Sequence, residues 1–433
     1  MIKKLLNSKF KKDLIFSYFT QGVTIGFGFL QLFLINRYFG VETYGQLAIV
    51  MSTAGIFSAL LTARSSEAIT RFFTREMINK NFQNAKFVLL IGFCIDIITA
   101  FLMLGLTYLF SDFIAKTFIK DISFSLDVFL YSFVVFFGFL RGTLFGYFQS
   151  KEMFFLINTI TIFESFIKIV ALILIVFVFS NSTLEDVIWT LIVASFLSFL
   201  YALIVFLKYY IQEFWTTHLF FNKVILKEYW SFNIKTFTSS SLKAGNNNID
   251  NLLIAYFLNA QVVGFYQIIK KILSPIAIIV GPFSMLVYPK LVHFFEKKEA
   301  DKFKNLIFKI SSYIFLFSIF YILLGYVFIE EIFALMNIEL SSELYFLYGL
   351  LSILMLATSM LWWARVFSNV VDPNYSLYMN IFATIFQLTI TVLATYLFSV
   401  NGLIVSMIVM NSIIGIYWLM KVRNYVRKTI YIY

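Results

Sequence analysis

A run of about twenty apolar residues is long enough to cross hydrocarbon as a helix, and this chain consists of such runs from end to end. They fall near residues 14–38, 43–63, 87–110, 124–147, 155–180, 187–207, 234–257, 263–289, 308–329, 344–368, 375–398 and 402–420. The pattern predicts an all-α polytopic membrane protein with about twelve transmembrane helices. Charge agrees: only 13% of residues are charged, against roughly 25% in soluble domains, and mean hydropathy is +0.87. The 56 Phe and 25 Tyr suit a lipid-exposed surface and its interfacial belts.

Lysine and arginine set the orientation. With the N-terminus in the cytoplasm, 27 of the 34 fall in or beside cytoplasmic segments. The opposite loop at 330–343 carries Glu330, Glu331, Glu339 and Glu343 and no base. The reverse orientation would put those bases outside, against the positive-inside rule. Both termini are therefore expected in the cytoplasm, and the net charge of +11 marks topology and not a nucleic-acid partner. The first apolar run is too long for a cleaved signal peptide and has no small-residue cleavage site, so no leader is expected.

The chain repeats itself. Residues 35–47, INRYFGVETYGQL, align without a gap on 254–266, IAYFLNAQVVGFY, pairing Ile35 with Ile254 and Gly45 with Gly264. Residues 72–82, FFTREMINKNF, resemble 294–303, FFEKKEADKF, at nearly the same offset. Two six-helix halves of equal topology follow, a plan known among transporters. The expected layout is an N-terminal lobe at 1–207, a linker at 208–233 and a C-terminal lobe at 234–433. The linker, with Phe214, Trp215, Phe220 and Trp230 among Lys223, Lys227 and Glu228, reads as an amphipathic helix on the cytoplasmic leaflet. Docking of a partner enzyme is the rival reading.

Enzyme chemistry is poorly represented. The single cysteine, Cys94, rules out a disulfide framework and a cysteine metal cluster. His218 and His293 have no metal-ligand spacing around them, so no metal or cofactor is expected. The Gly-x-Gly of 26–30 lies within a span with no strand before it, and no Walker motif exists.

The informative residues are charges at membrane depth, each costing about 2.5–3.5 kcal/mol if it faces lipid. They are Glu164, Lys168, Lys243, Asp250, Lys270 and Lys271, and a central polar cavity is the simplest way to house all six. Glu164 and Lys168 stand at i, i+4 in the favourable order; a self-neutralising packing pair and a cavity role fit equally. Lys243 opens Lys-Ala-Gly-Asn-Asn-Asn-Ile-Asp, too polar for a lipid-facing helix. Asp250 and the Lys270–Lys271 pair lie at one depth on adjacent spans, so Asp250 is expected to hold one of those lysines. Pro275, Pro282 and Pro289, with Gly281, recur every seven residues along the eighth span. Their bends add on one face and make either a gating helix or a fixed curve.

Several motifs carry a family resemblance over essentially the whole chain. They are Arg37-Tyr-Phe-Gly40 with Tyr44-Gly45, Arg141-Gly-x-x-x-Gly146, Asp250, Val263-Gly264-Phe-Tyr266 and Tyr288-Pro289. In these the chain resembles the polysaccharide transporters, or O-antigen flippases, of the multidrug/oligosaccharidyl-lipid/polysaccharide exporter superfamily. The resemblance implies a bilobed fold in a bacterial cytoplasmic (inner) membrane. It implies alternating access that carries an undecaprenyl-diphosphate-linked oligosaccharide, of O-antigen or capsule type, to the outer leaflet. Its implied partners are that lipid, membrane lipids, and a polysaccharide polymerase with its chain-length regulator. Lys243, Lys270 and Lys271 match the family's cationic cavity; the first half departs, with Gln21 and Gln31 in its early spans. A drug/cation antiporter would favour an acidic cavity, a membrane polymerase or glycosyltransferase would need a large external loop, and a lipid II flippase would have fourteen spans.

The charge bias is directly testable. In a Cys94→Ser background, Ser341→Cys should react with an impermeant thiol reagent in intact cells and Ser8→Cys should not. Labelling of Ser8→Cys would reverse the topology.

Overall fold

The computed structural model describes residues 8–61, 65–178, 183–246, 248–297, 299–371 and 374–430. Among the described residues every regular element is helical. The helices are α1 (Ser8–Leu61), α2 (Ser65–Ile78), α3 (Phe82–Ile114), α4 (Ser125–Ser150), α5 (Phe154–Val178), α6 (Leu184–Phe214) and α7 (Lys223–Asn246). They continue as α8 (Ile249–Phe257), α9 (Ala260–Glu296), α10 (Ala300–Leu335), α11 (Ser342–Met360), α12 (Trp362–Val371), α13 (Asn374–Phe386) and α14 (Val392–Ile430).

Eight stretches among the described residues are long and apolar enough to span a membrane. Two of them hold two expected spans each. Ile15–Ile78 is broken at Gly40, whose φ of +87° only glycine adopts without strain. Tyr378–Asn424 is broken at Phe398 and Ser399, where Ser399 has a φ of 56°. Gly402 completes that corner, since a Cβ there would lie 2.1 Å from the Ala394 carbonyl oxygen. The remaining two expected spans correspond to α7 with α8, and to α9.

The chain divides into two compact units, Met1–Leu252 and Leu253–Tyr433. The division falls within α8, so α7 lies in the first unit. Gly40 aligns with Asn259, which caps α9 by accepting a hydrogen bond from the Val262 N–H at 3.0 Å. The turn before α3, with Asn81 as cap, corresponds to the turn before α10, with Glu299 as cap. The sequence repeat is thus a repeat of helix breaks.

Three boundaries differ from expectation. Residues 208–233 are not one interfacial helix: α6 ends at Phe214 and α7 begins at Lys223. The reason is packing. Phe214 and Tyr229 are each fully buried in an aromatic core where Phe73 meets Tyr147 at 5.3 Å and Phe72 meets Tyr229 at 5.5 Å. Between them Trp215, Leu219, Phe220 and Phe221 stay exposed. The seventh span is discontinuous, with α7 ending at Asn246 and α8 starting at Ile249. The tenth is α11 and α12, with a turn at Leu361. By contrast α9 runs unbroken over 37 residues past all three prolines.

Small residues let the first unit's helices close. A Cβ on Gly146 would lie 2.7 Å from Ile69 Cβ and 2.8 Å from the Ser66 carbonyl oxygen, so α2 crosses α4 at backbone contact, as membrane helices do over small residues. Thr70 Oγ1 seals the crossing through the Gly146 carbonyl and Gln149, both at 3.2 Å. The second unit packs Phe303, Phe367, Trp363 and Trp418 in its own core. Outside, residues such as Leu109 and Phe308, each 73% exposed, present the apolar surface that lipid requires. Gly146→Val is expected to cost roughly 1–3 kcal/mol of stability, read as a lower unfolding temperature in detergent. Gly138→Ala, where nothing lies within 4 Å, should leave that temperature unchanged; equal losses for both would refute the close crossing.

Candidate functional site

In the first unit the charges of the fourth and fifth spans form one cluster. Arg141 of α4 and Lys168 of α5 both bind the carboxylate of Glu164. The Arg141 guanidinium donates to Glu164 Oε2 and the Lys168 ammonium to Oε1 at 2.6 Å. Ser195 and Ser198, on α6 and fully buried, each place a hydroxyl 3.4 Å from the same carboxylate, and Arg141 also donates to Ser198 Oγ at 2.7 Å. Three helices thus converge on one acid. Counting from the ends of α4 and α5 nearest each other, Arg141 and Glu164 are each about 15 Å deep at 1.5 Å per residue.

The local causes are plain. Glu164 precedes Lys168 by one helical turn, the order that suits both the pair and the helix dipole. Arg141 reaches the second oxygen because guanidinium offers several donors in a fixed fork. Side-chain exposures of 15% for Arg141, 14% for Glu164 and 25% for Lys168 leave the cluster partly open. Two cations on one carboxylate leave one surplus positive charge.

A second acid, Asp96 of α3, is 3% exposed and accepts the Thr143 backbone N–H at 2.7 Å. It approaches because position 142 is glycine: a Cβ there would lie 3.1 Å from both carboxylate oxygens. Gly142 and Gly146 of the Arg-Gly-x-x-x-Gly motif therefore serve two neighbours, Asp96 and α2. Sequence reasoning missed Asp96, and it placed Arg141 in a motif without seeing its partner Glu164.

The other sequence candidates lie in two places. Asp250, 3% exposed, sits in the first turn of α8, where a carboxylate suits the helix dipole, and accepts the Asn251 N–H at 3.0 Å. Its neighbours dock on α1: Asn251 Nδ2 donates to Ser52 Oγ at 2.7 Å, and the Asn248 amide lies 2.8 Å from where a Gly55 Cβ would stand. Asp250 belongs to the first unit, and Lys270 and Lys271 to the second. Both lysines are half-buried on α9, and the Lys270 ammonium lies 5.2 Å from the Tyr266 ring centroid, within cation–π range. Pro275 is half-buried on the same helix. The side chains of Lys243, Gly281, Pro282 and Pro289 lie outside the described residues.

Residues 10–295 match the family described as polysaccharide biosynthesis protein. No curated protein matches the chain in sequence. Among solved structures it is similar to an inward-facing multidrug resistance MATE family transporter of the MOP superfamily. That likeness has a TM-score of 0.74 at 12% identity, covering 94% of this chain and 95% of the other. It is also similar to the lipid II flippase MurJ in an inward closed conformation, with a TM-score of 0.71 at 13% identity, covering 96% and 90%. At these identities the likeness establishes the fold alone: an all-α polytopic membrane protein with the helical layout of those structures.

Glu164 should be the structural keystone of its cluster. Glu164→Gln leaves two cations sharing a partly buried site and should lower stability by roughly 3 kcal/mol. Lys168→Met alone should cost much less, because Arg141 still matches the acid. In the double variant Lys168→Met should recover part of the Glu164→Gln loss, measured by unfolding temperature. Strictly additive shifts would show that the two residues are uncoupled.

Proposed function

The chain belongs to the polysaccharide biosynthesis protein family, and from that premise we propose that it is a flippase for a lipid-linked oligosaccharide. The cargo is an undecaprenyl-diphosphate-linked repeat unit of O-antigen or capsule type, moved from the cytoplasmic to the outer leaflet of a bacterial inner membrane by alternating access.

The observation that carries this reading is the pair of cations, Arg141 and Lys168, that share the single carboxylate of Glu164 within the spans. A diphosphate crossing hydrocarbon needs compensating cations, which act strongly where the dielectric is low. The first unit supplies Arg141 and Lys168 around Glu164; the second supplies the half-buried Lys270 and Lys271 on α9. Lys243 joins them by sequence. Asp250 has the role of holding this region in shape, with its neighbours Asn248 and Asn251 fastened to α1. Pro275, Pro282 and Pro289 each remove a backbone hydrogen bond from α9, and with Gly281 they make it the helix that flexes as access alternates. An acidic lining, which an organic cation would need, is not what these residues provide. The polymerase and chain-length regulator belong to the same reading, as users of the delivered repeat unit.

The test is transport in vesicles. A fluorescent polyprenyl-diphosphate oligosaccharide should cross at a rate that falls about ten-fold in Lys270→Gln or Lys271→Gln, one lost charge contact being worth about 1.4 kcal/mol. Unfolding temperature should not change. Movement of an organic cation with no movement of the diphosphate lipid would reassign the protein to drug export.

A further inference from the structure

The second unit has a cavity of about 740 Å³ walled by α10, by the α11–α12 corner and by α14. Its volume falls within the roughly 300–1,000 Å³ of ligand sites. Lys304 and Phe308 of α10, and Gly415, Leu419 and Arg423 of α14, line it. Phe308 and Leu419 are 73% and 61% exposed, so the groove opens sideways, toward what surrounds the protein.

Three polar side chains on its walls are engaged within the protein. Asn411 Nδ2 donates to the Met407 carbonyl at 3.0 Å, Ser412 Oγ to the Ile408 carbonyl at 2.8 Å, and Ser311 Oγ accepts from Trp362 Nε1 at 3.0 Å. Below the two cations the remaining lining is mainly apolar, from Ile307, Phe308, Leu361, Trp363 and Leu419.

Its length and polarity match one leaflet. From Arg423 to Asn411 the α14 wall runs about 18 Å, and from Lys304 to Ser311 the α10 wall runs about 10 Å. Half of a roughly 30 Å hydrocarbon core is about 15 Å. Lys304 lies near the start of α10 and Arg423 toward the end of α14, so both stand at the same end, the one that the charge bias puts in the cytoplasm. Paired cations over an apolar groove of leaflet depth complement a lipid with an anionic head.

We propose that this groove holds one anionic glycerophospholipid of the cytoplasmic leaflet. Its phosphate lies on Lys304 and Arg423, and an acyl chain runs along Phe308, Gly415 and Leu419. The occupant is a resident lipid, independent of the cargo.

Full-length protein reconstituted with equal parts phosphatidylglycerol and phosphatidylethanolamine, then extracted in mild detergent, can be weighed with its retained lipid by native mass spectrometry. Wild type should retain phosphatidylglycerol preferentially. Lys304→Gln and Arg423→Gln should each reduce that retention about five-fold, since a basic residue at an anionic surface contributes about 1 kcal/mol. Gly415→Phe should also expel the lipid without changing charge: a Cβ at Gly415 already stands 3.4 Å from Leu361 Cδ2, so a ring must enter the groove. Should that variant fail to fold, the two charge variants still decide. Retention that mirrors the vesicle composition, or is unchanged in the Lys304→Gln, Arg423→Gln double variant, overturns the proposal. So does preferential retention of a polyprenyl phosphate by protein taken from native membranes, which would give the groove to an isoprenoid chain.

Discussion

Hydrocarbon offers no hydrogen bonds, so each backbone N–H and carbonyl at membrane depth must find its partner within the protein. A continuous helix does this automatically; a break in one does not, and the breaks in this chain are accordingly tied down by named residues. Gly40 turns through a positive φ. Asn259 caps α9 with its side chain. The gap between α7 and α8 is bounded by Asn248 against Gly55 and Asn251 on Ser52. Discontinuous helices of this kind place half-helix termini within the membrane, where oriented peptide dipoles can act on ions. Asp250, in the first turn of α8, is at such a terminus.

The same constraint governs side chains. Several hydroxyls within the spans are returned to their own helices: Thr53, Ser318 and Thr395 donate to carbonyls one turn back. A carboxylate cannot do this, and Glu164 and Asp96 are both met by donors from other helices. Glu164 collects donors from three helices. Asp96 takes a backbone N–H of α4 exposed by Gly142. The Arg-Gly-x-x-x-Gly motif thus joins packing to electrostatics: its arginine meets Glu164, its first glycine admits Asp96, and its second admits α2.

These relations explain what the sequence could and could not reveal. Spans are local properties of composition, so their number and type could be read directly, and the repeat located equivalent breaks at Gly40 and Asn259. Glu164 and Lys168 were visible because their partnership is local, one helical turn apart. Arg141 was not: its partner is 23 residues away, and a base near the end of an apolar run has the same appearance whether it flanks the membrane or enters it. Asp96 was hidden for a related reason, since its partner is a backbone N–H, which no residue type advertises. The linker was misread as a single amphipathic helix because Phe214 and Tyr229, apolar residues in a polar stretch, suit a membrane surface as well as the aromatic core they occupy.

Two ways of keeping a cation at depth are therefore present, and they differ in what they leave for an anion. In the first unit a carboxylate divides itself between Arg141 and Lys168, which lowers the cost of burying both and reduces the net charge to one. In the second, the Lys270 ammonium lies 5.2 Å from the Tyr266 ring centroid, where the ring's quadrupole attracts it. Tyr266 is itself fully buried, so that face is held rigidly in place. In the role proposed above, an anion carrier needs both properties in moderation. Cations matched too fully would have nothing to offer a diphosphate, and cations left bare would not survive insertion. A shared carboxylate in one unit and an aromatic face in the other hold their cations by different chemistry.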